Sequence, residues 1–160
     1  MTKGLIVIGY QGIGKSSIAG VQNNIVDLES STFKADDGTR PLQWYIWYCK
    51  MAVNLAKQGY IVCVSSHHYV CDELGKHMDD PDFDIIIVHP SIELRDAWLK
   101  RLADRLGRIP IEKNWIAYAN AEKSYNLDIR GLIKHRIHDI SIDSLDYDLK
   151  DVIDNYLNTH

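Results

Sequence analysis

Between Gly4 and Ser17 the chain reads GLIVIGYQGIGKSS, and this stretch limits the possible folds more than any other. Leu5 to Ile8 is an unbroken apolar run, as expected of a strand covered on both faces of a parallel sheet. Gly9 to Ser16 then matches G-x-x-x-x-G-K-[ST], and a helical stretch follows directly. Strand, glycine turn and helix in that order form the context in which this motif cradles phosphates.

The chemistry explains the residue types. A polyphosphate needs donors that approach closely, and Gly9, Gly12 and Gly14 leave room for successive backbone N–H groups to turn inward. The helix opening near Lys15 adds unpaired N–H groups and the positive end of its dipole. Lys15 is expected to reach the β- and γ-phosphates, Ser16 to ligate Mg²⁺, and Ser17 to donate near the α-phosphate. The nucleotide-binding set is therefore Gly9, Gln11, Gly12, Ile13, Gly14, Lys15, Ser16 and Ser17. A bare glycine turn opening a helix is the competing structural reading, and Lys-Ser in register after an apolar strand weighs against it.

The rest of the chain alternates strands and helices. Helices are expected over Lys15–Gln22, Pro41–Gln58, Val70–Met78, Ser91–Leu106, Pro110–Lys123 and Ser144–Leu157, the fifth interrupted near Asn126 and Gly131. Strands are expected over Asn24–Leu28, Tyr60–Val64, Asp84–His89 and Arg136–Ile140, with a polar loop over 30–40. In the second helix Leu42, Tyr45, Ile46, Cys49, Ala52, Val53 and Ala56 form the inward stripe, and in the last Leu145, Leu149, Val152, Ile153 and Tyr156 do. This alternation predicts an α/β fold with a parallel sheet, whose ligands gather at the carboxyl ends of the strands. Residues 9–16, 27–31, 65–68 and 89–91 then surround one cleft.

Composition narrows the function. The 160 residues carry 18 basic and 22 acidic side chains, net charge −4, with no dense basic block, which disfavours binding along a nucleic-acid backbone. Cys49, Cys63 and Cys71 are odd in number and lack C-x-x-C spacing, so they read as reduced core thiols. No apolar run has the length of a membrane span and no signal region opens the chain, so one cytoplasmic domain over 1–160 is expected.

Within the cleft, Asp27 ends the second strand beside the phosphate loop. It is placed to hold metal-bound water or to accept a proton from an attacking hydroxyl; a turn or capping aspartate is the plainer reading. Glu29 follows on the same side if the chain stays extended, and Arg40 and His67 are candidate acceptor contacts. Arg101, Arg105 and Arg108 share a helical face, either closing over phosphoryl oxygens or forming a solvated face paired with acids such as Asp104. Leu106-Gly-Arg-Ile-Pro110 supplies the Gly and Pro of a hinge, with a mobile cover over about 101–125. Trp44 or Tyr48 is offered for base stacking, because Tyr45 fits the core stripe. Trp98 and Trp115 read as core or interface residues.

Together GYQGIGKSS, Asp27-Leu28-Glu29 and the segment WLKRLADRLG at 98–107 resemble the compact small-molecule P-loop kinases, the group holding nucleoside monophosphate, shikimate and gluconate kinases. The resemblance implies a three-layer fold on a five-stranded sheet of order 2-3-1-4-5, an ATP·Mg²⁺ donor and phosphoryl transfer to a small acceptor, first of all a nucleotide or nucleoside. It further implies phosphate and metal binding by Lys15 and Ser16, and lid roles for Arg101 and Arg105. The third strand ends in Ser65-Ser66 with no aspartate, so Asp27 is expected to support the metal. A slowly hydrolysing NTP switch is the first alternative. It is weakened because N-K-x-D is absent and the D-x-x-G match at Asp72–Gly75 falls in a predicted helix. A nucleic-acid end kinase is the other, weakened by the net charge.

Overall fold

The apolar run after Lys3 forms strand β1 (Gly4–Gly9), buried at all six positions. Only a strand covered on both faces can be buried throughout, so β1 lies at the centre of a layered α/β structure. The computed structural model describes residues 3–19, 24–28 and 39–160. The other strands are β2 (Ile25–Asp27), β3 (Ile61–Ser65), β4 (Phe83–Pro90) and β5 (His138–Ile142). All pair in parallel in the order β2-β3-β1-β4-β5, the expected order. In register, Gly9 lies opposite Ser65 and Val88, which brings three carboxyl ends together.

The helices are α1 (Lys15–Ala19), α2 (Trp44–Lys57), α3 (His68–Gly75), α4 (Arg95–Arg108), α5 (Glu112–Lys134) and α6 (Leu149–Thr159). Among the described residues no helix is long and apolar enough to cross a membrane.

Four expectations are corrected. Helix α2 starts three residues after Pro41, following turns in which Trp44 N donates to the Pro41 carbonyl and Ile46 N to that of Gln43. Cys49, Ala52, Val53 and Ala56 of the expected stripe are buried, Trp44 and Tyr48 join them, and Leu42, outside the helix, is 94% exposed. Helix α5 continues through the expected interruption and bends once, at Ser124 (φ −146°, ψ 27°). There the hydroxyl shares its proton between the Asn120 carbonyl (3.1 Å) and Asp128 Oδ2 (2.9 Å), competing with the helical ladder. Gly107 is inside α4, so of the expected hinge only Ile109 and Pro110 fall in the turn, which runs over Ile109–Ile111. Leu145 precedes α6 and is exposed, because that helix begins at a capping box: Asp148 accepts from Asp151 N while the Asp151 side chain accepts from Asp148 N. Trp98 is fully buried, whereas Trp115 is exposed.

All three cysteines are reduced and buried, and burial pushes each thiol up to about 12. At pH 8 roughly one thiol in 10⁴ is then ionised, since each unit is a factor of ten. The native protein should resist iodoacetamide under conditions that consume free cysteine, and all three thiols should react once it is unfolded. Alkylation counted by mass spectrometry checks this; a modified cysteine in the folded protein would contradict it.

Candidate active site

The loop between β1 and α1 has the backbone that anion binding needs. Gly12 and Gly14 adopt φ of +83° and +105°, conformations that glycine holds without strain. Gly12 is also fixed by contact: a Cβ there would lie 2.8 Å from Leu102 Cδ2 and 3.2 Å from the Trp98 indole nitrogen. That indole N–H donates to the Gln11 carbonyl at 2.9 Å. Helix α4 is thus the back wall of the loop. Replacing Trp98 by Phe keeps the bulk but leaves that carbonyl without its donor, at about 1 kcal/mol. Nucleotide affinity in a fluorescence or calorimetric titration should fall about five- to tenfold; unchanged affinity would show that the bond does not shape the loop.

The Lys15 ammonium donates to the Gly9 carbonyl at 2.6 Å and to that of Val64 at 3.5 Å, across the ends of β1 and β3. Asp27 closes β2 in register with Cys63. Its surroundings are braced by the Tyr48 hydroxyl, which donates to the Leu28 carbonyl (2.6 Å) and accepts from Ser65 N (2.9 Å). Tyr48 and Trp44 are buried, so neither presents a face for base stacking. This corrects the sequence reading: the buried face of α2 is wider than the expected stripe and takes in both aromatic rings.

A cleft of about 470 Å³ gathers most of the expected residues. Gln11, Gly12, Ile13, Gly14, Lys15 and Ser16 line it from the loop, Asp27 from β2 and Ser65 from the end of β3, together with Arg40 and His67. Gly9 contributes its carbonyl to Lys15, and Ser17 is exposed outside the lining. Glu29, Ser30 and Ser31 lie outside the described residues. Arg105 lines the cleft, whereas Arg101 does not: its guanidinium stacks on Trp98 (4.4 Å to the ring centre) and donates to the Leu145 carbonyl at 3.3 Å. Burial lowers the Arg101 pKa, with Asp148 acting the other way.

Arg40 packs over the Trp44 ring at 3.7 Å, and burial lowers its pKa. His67 caps α3, its Nδ1 accepting from Tyr69 N at 3.2 Å, so a neutral ring carries its proton on Nε2. Burial first, then His68 and Arg40, lower its pKa, which keeps it neutral at pH 7.

The expected cover over 101–125 reaches into α5, but the sequence reading named none of the residues with which that helix walls the cleft. Lys113, Asn114 and Asn120 line the cleft because the chain reverses at Ile109–Ile111 and brings α5 back over the loop. Asn114, 3% exposed, pins this elbow by donating from Nδ2 to the Ile109 carbonyl at 2.8 Å. Its Oδ1 is buried without a partner among the described residues, an acceptor of the kind a bound ligand satisfies. Asp72–Gly75, the D-x-x-G match, lies in α3 and off the cleft.

No family model matches the chain, and no curated protein matches it. Among solved structures, a gluconokinase from Sinorhizobium meliloti 1021 is similar over 99% of this chain and 98% of that one, with a TM-score of 0.53 at 13% identity. At that identity the likeness is one of fold, and the five-stranded parallel sheet of this chain fits the fold of a P-loop kinase.

Proposed function

We propose that this chain, built on the fold of a P-loop kinase, transfers the terminal phosphoryl group of ATP to a small acceptor, a nucleotide or nucleoside-like molecule. The observation that carries the proposal is the convergence of the positive-φ glycine loop, Lys15, Asp27 and Arg105 on one cleft. Residues 1–160 act as one domain, with α4 and the start of α5 as its cover.

Each side chain has a physical task. Loop amides and the Lys15 ammonium hold the β- and γ-phosphates, drawing Lys15 away from the carbonyls it touches here. Arg105, in the lining of the same cleft, supplies positive charge to the transferring group. Arg101 acts one step removed, fixing the α4 turn that carries Trp98 and Arg105. Asp27 takes the proton of the attacking hydroxyl, His67 contacts the acceptor, and Arg40 adds to the positive charge of the phosphate cleft.

The Ser16 hydroxyl and the Asp27 carboxylate border the same cleft, an oxygen donor set that suits Mg²⁺ better than a softer metal. When bound, Mg²⁺ neutralises charge on the phosphate oxygens.

A comparison of the two arginines tests the scheme. Arg105→Ala should lower kcat by about 10²-fold or more, since a group aimed at the transition state is lost. Arg101→Ala should chiefly lower thermal stability and raise the KM for ATP by a few fold. Equal effects on kcat would remove the division of roles. Measuring ATP turnover with and without acceptor also separates a kinase from a slow hydrolase.

A further inference from the structure

The cleft continues into a second cavity of about 450 Å³, walled by Tyr10 and Ser66–His68 on one side and one face of α5 on the other. The two share Gln11, Ser65, His67 and Asn120, so a molecule in the second faces the phosphate loop in the first. Their charges are segregated. The first carries Lys15, Arg40, Arg105 and Lys113 against Asp27 and Glu112. The second has no Lys or Arg among its described lining residues, and its one carboxylate is Asp128.

We propose that the second cavity receives the phosphoryl acceptor, and that this acceptor is an uncharged or cationic compound presenting hydroxyl or amino donors, not an anion. The inference rests on the kinase reading above and names its substrate class: a nucleoside rather than a nucleotide, a polyol or amino alcohol rather than a sugar acid.

The α5 bend builds the recognising group. At Ser124 the helix opens, and the hydroxyl there holds Asp128 Oδ2 at 2.9 Å on the cavity face. A carboxylate so placed accepts from hydroxyl or ammonium groups and repels phosphate or carboxylate. Burial raises the Asp128 pKa, with the Ser124 bond working against it. Besides Asp128, the cavity is lined by hydroxyl, amide and imidazole groups, with His135 Nδ1 lying 3.6 Å from Asp72 Oδ1. The Tyr10 phenol, which accepts from Gln11 Nε2 at 3.3 Å, is pushed up to about 12, chiefly by burial, and keeps its proton. His67 is neutral for the reasons given above. The volume suits a single small molecule.

The transfer balances without further reagents. The acceptor oxygen forms a bond to the terminal phosphorus of ATP as the bond from that phosphorus to the ADP oxygen breaks. The hydroxyl proton passes to Asp27 and then to water.

Matched pairs test the assignment. Nucleosides and their 5′-monophosphates, hexitols and the corresponding aldonates, and amino alcohols would be offered with γ-labelled ATP, scoring label transfer and acceptor KM. ATP affinity would be measured separately by titration. Uncharged or cationic members should exceed their anionic partners at least tenfold in kcat/KM. Asp128→Asn should raise the KM of a neutral acceptor about tenfold with ATP affinity unchanged, and Ser124→Ala should do so more weakly. Asp128→Arg should shift preference towards the anionic member. Preference for anionic members, insensitivity to both Asp128→Asn and Ser124→Ala, or ATP binding with no member labelled would overturn the acceptor assignment and leave the nucleotide site standing. Failure of the wild-type protein to bind ATP would instead sink the kinase reading.

Discussion

Replacing Lys15 with alanine should lower phosphoryl transfer by about 10²- to 10³-fold, the scale on which a preorganised charge stabiliser acts, about 3–4 kcal/mol of barrier. The expectation follows from where the ammonium lies. It spans the ends of β1 and β3, held by the Gly9 and Val64 carbonyls, in the cleft that Arg105 also lines. Those carbonyls make the lysine structural as well, so the variant should also lose about 1 kcal/mol of stability. Single-turnover kinetics with stability measured alongside separate the two effects. Wild-type transfer by a folded Lys15→Ala protein would remove the phosphate-binding role of the loop.

The second large effect is on the fold. A Cβ added at Gly4 would overlap the Ala56 carbonyl oxygen and lie 2.6 Å from its carbon. Both are backbone atoms at the end of α2, which is closed by Gly59 at φ +94°. No rotamer change relieves such a clash; β1 and α2 must separate, and both are core elements. Gly4→Ala should cost about 3 kcal/mol or more, which lowers the melting temperature by about 6–12 °C in a chain of this size. Gly107→Ala is the control, since nothing approaches its Cβ and it sits in α4. That change should be neutral or stabilise by about 0.5–1 kcal/mol. A Gly4→Ala protein as stable as wild type, by thermal or urea unfolding, would show that the β1–α2 approach is not tight.

The sequence was most legible where local chemistry sets local structure. A run such as Leu5–Ile8 can be satisfied only between two covered faces, and the glycines at 12 and 14 leave few residues that could take their positive φ. The order of the strands came from a resemblance, and the sheet has that order. Reading by local pattern went astray where a boundary and the width of a buried face had to be set. Helix α2 begins three residues later than Pro41 suggests, and its buried face takes in Trp44 and Tyr48 beside the expected Cys49, Ala52, Val53 and Ala56. From that face the Tyr48 hydroxyl braces β2 against β3.

What the residues alone determined was the class of the fold and the phosphate loop, because strand, glycine turn, lysine and serine act through bonds made within a few positions of one another. What only the tertiary structure decided was which distant groups meet that loop. Arg101 and Arg105 share a sequence motif, yet one stacks on Trp98 while the other lines the cleft, and nothing in their spacing tells them apart. Lys113, Asn114 and Asn120 join the site only because α5 folds back, and Asp128 enters the second cavity through the bend at Ser124. Such contacts depend on how helices pack over the sheet, a property of the whole core that no short window of residues contains.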